Sequence, residues 1–140
     1  MRRIETASAE ETMNIACELA AKASPGDVIT LDGDLGAGKT TFTKGFAKGL
    51  GIGMMVNSPT FLIVQEYTGG RLPLYHFDAY RIEEPEEMEE IGFREYVDGD
   101  GVCIIEWPEM VDDLLPETVT AVSILKDPSK GTDYRRITVE

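Results

Sequence analysis

The chain has 140 residues and a formal net charge of −13, from 26 acidic and 13 basic side chains. Chains of this length typically form one compact domain, so a single domain over residues 1–140 is expected. The acidic excess argues against direct binding along a nucleic-acid backbone, because such binding needs clustered Lys and Arg. No apolar run approaches the roughly 20 residues that span a bilayer, and the first residues lack a secretory leader. These features predict a cytoplasmic protein without membrane contact.

Two cysteines occur in the chain, Cys17 in a predicted helix and Cys103 in a predicted strand. They are far apart in the sequence, and each lies within an apolar pattern. We therefore expect buried, reduced thiols rather than a disulfide or a metal site.

The N-terminal part predicts an edge strand followed by a helix. Residues 2–6 form the candidate strand, and Ser8 with Glu11 three residues later forms a capping box at the start of the helix. Apolar residues at helical spacing continue the helix to about Ala23. A Pro-Gly pair then ends it and turns the chain into the next segment.

Residues 28–50 (VITLDGDLGAGKTTFTKGFAKGL) have the pattern of a buried strand, a glycine-rich loop and a helix. Within them, GDLGAGKT at 33–40 matches the P-loop pattern of Gly, four residues and Gly-Lys-Thr. The apolar run before the loop and the helical pattern from Thr40 onward supply the structural context that this motif requires. Gly51 follows where a glycine that ends the helix is expected.

The loop predicts a binding site for a nucleoside triphosphate. Its glycines let backbone N–H groups surround phosphate oxygens, and the positive end of the following helix points at the same anion. Lys39 would contact the β- and γ-phosphates, and the Thr40 hydroxyl would bind Mg²⁺. The predicted phosphate-binding residues are Gly33, Gly36, Ala37, Gly38, Lys39, Thr40 and Thr41.

The middle of the chain departs from an all-parallel pattern. Residues 61–67 and 72–78 are rich in β-branched and aromatic side chains and are joined by Thr-Gly-Gly-Arg, which predicts an antiparallel hairpin. A solvated acidic helix is expected near residues 83–90. The sequence therefore predicts an α/β protein with the P-loop NTPase fold, in which helices flank a mixed, mostly parallel central sheet that includes the hairpin.

A second buried strand is predicted to carry a carboxylate to the edge of the sheet. Residues 102–106 form a continuous apolar run that ends in Glu106, and Pro108 ends the strand. A short helix near residues 109–115 and strands at about 119–125 and 134–139 complete the pattern.

Two acids at strand ends, Asp78 and Glu106, are candidates for the Mg²⁺ shell. One would hold the metal, directly or through water, while the other orients the attacking water, and the sequence alone does not rank them.

Thr60, within Ser-Pro-Thr-Phe, is a possible switch residue that senses the γ-phosphate. Trp107 fits either core packing or contact with a nucleotide or partner, and His76 is typical of a hydrogen-bonded structural residue.

Four motifs in this order and spacing make the chain resemble the TsaE family, bacterial P-loop ATPases of tRNA threonylcarbamoyladenosine biosynthesis, formerly named YjeE. They are GDLGAGKTT at 33–41, SPTF at 58–61, HFDAYR at 76–81 and IEWPE at 105–109. The resemblance implies ATP and Mg²⁺ as ligands and the TsaD and TsaB proteins as partners, which modify the adenosine next to the anticodon. ATP hydrolysis would reset the TsaD–TsaB complex between turnovers, and tRNA would be met only through that complex.

The resemblance also assigns roles to individual positions. Gly36 to Thr41 would bind the phosphates, Thr40 and Asp78 would serve Mg²⁺, and Glu106 would act at the metal or on the water. Lys39 and Glu106 are the residues expected to carry catalysis. We expect hydrolysis to be slow for the isolated chain and faster with a partner, because so small a protein supplies no obvious second arginine for the transition state.

Other positions of this chain match the family's motifs less fully. Trp107 belongs to the IEWPE motif and would lie near the nucleotide, as a binding residue, or near the partner surface. Residues 9–12 resemble the family's segment near the adenine. The C-terminal stretch that contains Arg135 and Arg136 matches poorly, and it leaves open whether either arginine contacts the base or stabilises charge.

Three alternative functions fit parts of the sequence. A small-molecule kinase would share the P-loop, but it needs an acceptor pocket and usually an arginine-bearing lid over the phosphates, whereas the stretch after the mid-chain helix is acidic. A GTPase is less well supported, because Asp-x-x-Gly occurs at 98–101 without an Asn-Lys-x-Asp motif. A nucleotide-dependent assembly factor would keep its cellular role when Glu106→Ala abolishes turnover.

Overall fold

The computed structural model describes residues 2–33, 37–53, 56, 63–84 and 86–140. Within these ranges the strands are β1 Arg2–Thr6, β2 Val28–Asp32, β3 Val64–Tyr67, β4 Leu74–Asp78, β5 Val102–Glu106, β6 Thr120–Lys126 and β7 Arg135–Val139. The α-helices are α1 Ala9–Ala21, α2 Lys39–Gly49, α3 Glu86–Glu90 and α4 Phe93–Val97. Short 3₁₀ segments lie at Ala79–Arg81, Pro108–Leu114 and Pro128–Lys130.

The seven strands form one sheet in the order β1-β7-β6-β2-β5-β4-β3. The four central strands β6, β2, β5 and β4 run parallel. The outer pairs are antiparallel: β3 with β4 at one edge, and β7 with β6 and β1 at the other. The predicted fold class is therefore confirmed, including the hairpin and the edge position of β1. The second antiparallel edge, formed by the return of β7, was not part of the expectation.

Helices cover both faces of the sheet because the buried strands present apolar side chains to both sides. On one face, Phe42 and Phe46 of α2 belong to the same core cluster as Leu31 and Ile104. On the other face, Phe93 of α4 belongs to a second core cluster. This cluster contains the strand residues that point to that face, such as Phe77 and Ile105. Successive residues of a strand point to opposite faces. Glu106, two residues after Ile104, therefore points to the face covered by α1 and α2.

Local signals set the helix ends close to the predicted positions. The Ser8 hydroxyl accepts the N–H of Glu11, and the Glu11 carboxylate accepts the N–H of Ala7, so the chain before α1 is fixed by both side chains. At the end of α2, Gly51 adopts a φ of 80°, the left-handed conformation typical of a glycine that ends a helix. The predicted helix near residues 109–115 is instead a 3₁₀ segment that begins at Pro108. Among the described residues, no helix is both long and apolar enough to cross a bilayer.

Small residues let α1 and α2 approach each other closely. A Cβ on Gly45 would collide with the carbonyl oxygen of Met13 and would lie 2.6 Å from its Cα. At Gly49 the added atom would lie 2.7 Å from the carbonyl oxygen of Cys17. Since these contacts are with the backbone of α1, no side-chain movement relieves them.

Gly45→Val should lower the free energy of unfolding by about 1–3 kcal/mol, because overpacking forces α2 away from α1. Urea denaturation monitored by circular dichroism measures this loss. Gly53→Val is the matched control, since a Cβ there meets nothing within 4 Å. Equal stability of the two variants would contradict the packing described for α1 and α2.

The two cysteines are free, and they differ in exposure: Cys103 is buried in β5, whereas Cys17 is partly exposed. The expectation of two buried thiols is thus wrong for Cys17, which lies towards the edge of the α1 contact with α2. Burial raises the pKa of the Cys103 thiol from 9.0 to about 12. As the pH rises, the thiol loses its proton at a lower pH in the unfolded chain than in the folded chain. Cys103 therefore contributes less to the free energy of unfolding between pH 9.0 and about 12 than at neutral pH.

In the folded chain at pH 8, iodoacetamide should alkylate Cys17 and leave Cys103 unmodified. Only about one Cys103 thiol in ten thousand is a thiolate at that pH, and the thiolate is the reactive form. Peptide mass mapping after a timed reaction distinguishes the two positions. Alkylation of Cys103 at the same rate with and without urea would contradict its burial.

Candidate functional site

The predicted site residues meet at the edge of the sheet where the parallel strands β2, β5 and β4 end. In the register of these strands, Leu31 lies opposite Glu106, and Glu106 lies opposite Asp78. The P-loop leaves β2 at the same edge. The carboxyl edge of a parallel sheet is the usual place for ligands in this class of fold. The parallel register is thus what brings three distant parts of the sequence together.

The described part of the P-loop comprises Gly33 and the residues from Ala37 onward. A Cβ on Gly33 would lie 2.6 Å from the carbonyl oxygen of Ile124 in β6, so only glycine fits there. Gly38 has a φ of 106° and begins α2 without a side chain to cap it. The predicted binding residue Gly36 lies outside the described residues, as does the possible switch residue Thr60.

The N-terminus of α2 has the properties of an anion site. No acidic residue lies in its first turn, which contains Lys39, Thr40 and Thr41. The first N–H groups of a helix lack intrahelical partners, and the helix dipole places partial positive charge beside them. Phosphate oxygens are suitable acceptors for these groups.

Lys39 is nearly buried, with 6% of its surface exposed. Its Nζ lies 3.9 Å from Oε1 of Glu106 and 3.9 Å from the centre of the Trp107 ring system. A buried ammonium needs such partners, because removing it from water without compensation is costly. The P-loop lysine is therefore held between a carboxylate and an aromatic face.

Glu106 is also buried, with 5% exposed, and both of its carboxylate oxygens have partners. Oε1 faces Lys39, and Oε2 lies 2.5 Å from Nε2 of His76, a side chain with no exposed surface. An ionised carboxylate only accepts hydrogen bonds, so Nε2 of His76 carries the donated hydrogen. Glu106 thus lies deeper in the protein than Asp78.

Asp78 is partly exposed at the end of β4. Its Oδ1 accepts the N–H of Tyr80 at 3.0 Å and thereby caps the 3₁₀ segment that begins at Ala79. The two candidate carboxylates consequently differ in surroundings. Glu106 is enclosed by charged and aromatic neighbours, while Asp78 faces the open side of the site.

Trp107 has an unusual backbone conformation. Its φ of 60° makes it the one described non-glycine residue with a positive φ. Its ring lies 5.0 Å from the ring of Tyr80, a residue that is 59% exposed. A bulky residue in the left-handed region carries strain, which persists where surrounding contacts fix the conformation and is frequent at functional sites. Here the strained turn holds the indole against Lys39.

Arg135, at the start of β7, reaches the P-loop. Its Nε donates to the carbonyl oxygen of Ala37 at 2.8 Å, and its Nη1 donates to the carbonyl oxygens of Thr132 and Tyr134. Arg136, the next residue, points to the opposite face and is exposed. The sequence left the roles of these two arginines open, and the structure distinguishes their positions. Arg135 contacts the loop, whereas Arg136 lies away from it.

A small recess of about 40 Å³ lies beside the P-loop. Ala9 and Thr12 of α1 line it together with Gly38, Thr41 and Arg135. The segment 9–12, which the resemblance associates with the adenine, is thus adjacent to the phosphate-binding part of the chain.

The structure brings together Lys39, Asp78, Glu106 and Trp107, as the sequence motifs suggested. Three features were not predicted: the contact of His76 with Glu106, the tilted contact of the Tyr80 ring with the Trp107 ring, and the bond from Arg135 to the loop. The HFDAYR motif contained a signal for the first two, because His76 and Asp78 are two residues apart and therefore lie on the same face of β4. No sequence pattern marked Arg135.

Arg135→Met should raise the dissociation constant of ATP by about tenfold or more, because the lost bond from this charged donor, worth about 1.5–3 kcal/mol, holds the Ala37 backbone of the loop, and ATP binding would then have to order the loop itself. Equilibrium binding of a fluorescent ATP analogue measures this change. Arg136→Met removes the same charge from an adjacent exposed position, and it should leave the affinity within about twofold of the wild-type value. Equal effects of the two substitutions would indicate that charge alone, and not the contact with Ala37, is responsible.

Comparisons with known proteins agree on one family. A model for the family described as "Threonylcarbamoyl adenosine biosynthesis protein TsaE" matches residues 6–137. The tRNA threonylcarbamoyladenosine biosynthesis protein TsaE of Bacillus subtilis (strain 168) is 54% identical over 133 residues, which cover 95% of this chain and 81% of the relative. The protein of the same name from Treponema pallidum (strain Nichols) is 43% identical over 122 residues, or 87% of this chain and 90% of the relative.

A solved structure supports the same conclusion. The crystal structure of Bacillus subtilis YdiB aligns with a TM-score of 0.84 and 47% sequence identity. The alignment covers 99% of this chain and 83% of that one. With a family model that matches nearly its whole length, the chain belongs to the TsaE family.

Proposed function

We propose that this chain is a Mg²⁺-dependent ATPase of tRNA threonylcarbamoyladenosine biosynthesis that acts on the TsaD–TsaB complex and permits its repeated turnover. The observation that carries the proposal is the contact between the P-loop lysine and a strand-end carboxylate, with Lys39 Nζ 3.9 Å from Glu106 Oε1. The family relationship supports the pathway, since relatives 54% and 43% identical are named for it.

ATP would bind along the N-terminus of α2. Residues 33 and 36–41 would surround the phosphates with N–H groups and the Lys39 ammonium. Ala9 and Thr12 border a small recess next to this phosphate site, and the base would lie against this segment. Trp107, whose ring already faces Lys39, would border the terminal phosphate.

The residues at the strand ends fit Mg²⁺. Asp78 and Glu106 are opposite each other on neighbouring strands, and carboxylate oxygen is the ligand type that Mg²⁺ prefers. The described residues contain no group of three or more His, Cys, Asp or Glu able to enclose a metal. Thr40 and Asp78 would hold the ion together with the phosphates, with Glu106 nearby. When bound, Mg²⁺ would neutralise charge on the β- and γ-phosphates.

Glu106 would orient the attacking water through Oε1. The water oxygen forms a bond to the γ-phosphorus while the bond from phosphorus to the bridging oxygen breaks, which gives ADP and phosphate. In the structure Oε1 faces Lys39, so hydrolysis would require both groups to turn from each other to the substrate. This exchange is a physical reason for slow hydrolysis by the isolated chain, and a partner that favours the exchanged arrangement would accelerate it.

The charge of the chain supports action through a protein complex. A net charge of −13 opposes direct contact with the tRNA backbone, so the TsaD–TsaB complex would hold the tRNA. The work of such a protein lies in the cytoplasm, where tRNA is modified. A single domain over residues 1–140 would be sufficient for this role.

Two substitutions separate binding from hydrolysis. Lys39→Ala should lower the hydrolysis rate by about 100-fold or more, since it removes the cation that contacts the phosphates. Glu106→Gln should lower the rate by about 10²–10⁴-fold while ATP still binds. Phosphate release and analogue binding measure the two properties in parallel.

Lys44→Ala is the control for Lys39→Ala, because Lys44 is an exposed lysine on the same helix. It should keep wild-type hydrolysis. Full turnover by Lys39→Ala would show that the P-loop is not the catalytic site, and phosphorylation of a metabolite without phosphate release would identify a kinase instead.

A further inference from the structure

We infer that His76 is a positioning residue for hydrolysis: it fixes the Glu106 carboxylate so that Oε1 is presented to the reaction. The inference rests on the proposed function, because it assigns a task to a neighbour of the proposed catalytic carboxylate. His76 itself lies in β4, behind Glu106, and reaches the chemistry only through it.

The sheet register explains how the two side chains meet. His76 lies opposite Ile104, and Asp78 lies opposite Glu106, so His76 is two residues back from Asp78 on the same face. Glu106 therefore reaches diagonally across to His76, and Nε2 and Oε2 are 2.5 Å apart. His76 has no exposed surface, and Glu106 has only 5%, so water does not compete for this bond.

The two oxygens of Glu106 are divided between two partners. Oε2 is held by His76, and Oε1 lies towards Lys39 and the P-loop. A carboxylate bound at one oxygen by a rigid, fully buried ring has little freedom to rotate. When Lys39 turns to the phosphates, the bond to His76 remains and keeps Oε1 directed at the site.

The other nitrogen of His76 indicates that the ring is placed for Glu106. Nδ1 is buried and finds no hydrogen-bond partner among the described residues. An unpaired buried polar atom is unfavourable, and an aliphatic residue at this position would avoid it. Within the described part of the chain the imidazole therefore pairs only one of its nitrogens, and it uses that nitrogen on the carboxylate, which is the expected arrangement if that bond has a function.

The first test compares His76→Leu with His76→Gln. Leucine fills the space without a donor, whereas the glutamine amide can restore a donor near the position of Nε2. His76→Leu should lower kcat by about 10- to 100-fold, since a misplacement of about 1 Å near the chemistry has effects of that size. The affinity for ADP should stay within about twofold, and His76→Gln should regain most of kcat.

Tyr67→Phe is the matched control for lost stability. It removes the bond from the buried Tyr67 hydroxyl to Gln65 within strand β3, which is separated from β5 and Glu106 by β4. It should keep wild-type kcat even if its thermal midpoint falls as far as that of His76→Leu. Equal losses of kcat in both variants would assign His76 a structural role only and overturn the inference.

A double-mutant cycle decides whether His76 acts through Glu106. In the Glu106→Gln background, His76→Leu should produce no further loss of kcat, because the group that it positions is already impaired. A second loss of the same size as in the wild-type background would overturn the inference.

If the wild-type chain releases no phosphate, the proposed function fails and this inference falls with it. Normal wild-type hydrolysis with an unaffected His76→Leu overturns the inference alone.

Discussion

The contact between Lys39 and Glu106 is the interaction on which the rest of the site depends. Both groups are more than nine-tenths buried, and a buried charge is tolerated only when it is paired and hydrogen-bonded. Each therefore needs the other, and among the described residues each has one further partner, Trp107 for the lysine and His76 for the carboxylate. The same desolvation that makes the pair necessary strengthens its interaction with phosphate charge.

The sheet makes this pairing possible without special loops. Parallel strands end at one edge, so Leu31 near the end of β2, the last residue of β5 and the last residue of β4 lie side by side. Alternation along β5 then separates the roles of its side chains. Ile105 enters the core on one face, while Ile104 and Glu106 face α1 and α2. The carboxylate is buried because it continues a core-facing row of the strand.

Much of this arrangement was predictable because it depends on local patterns. The strand and helix that flank the P-loop, the cap at Ser8 and the strand that ends in Glu106 are encoded within short segments, and each formed as expected. Arg135 was not predictable, because its contact with Ala37 depends on the antiparallel return of β7 across nearly 100 positions. The left-handed turn at Trp107 was missed for a related reason: its strain is set by the contacts around it, which a sequence pattern does not contain.

The central claim is that ATP hydrolysis by this chain lets the TsaD–TsaB complex act repeatedly. The most direct measurement is tRNA modification by a limiting amount of that complex, followed together with phosphate release, with and without this chain. The account predicts that its addition raises both, so that each complex modifies many tRNAs and Mg²⁺-ATP is consumed. If neither modification nor phosphate release changes on addition of the chain, the account is contradicted.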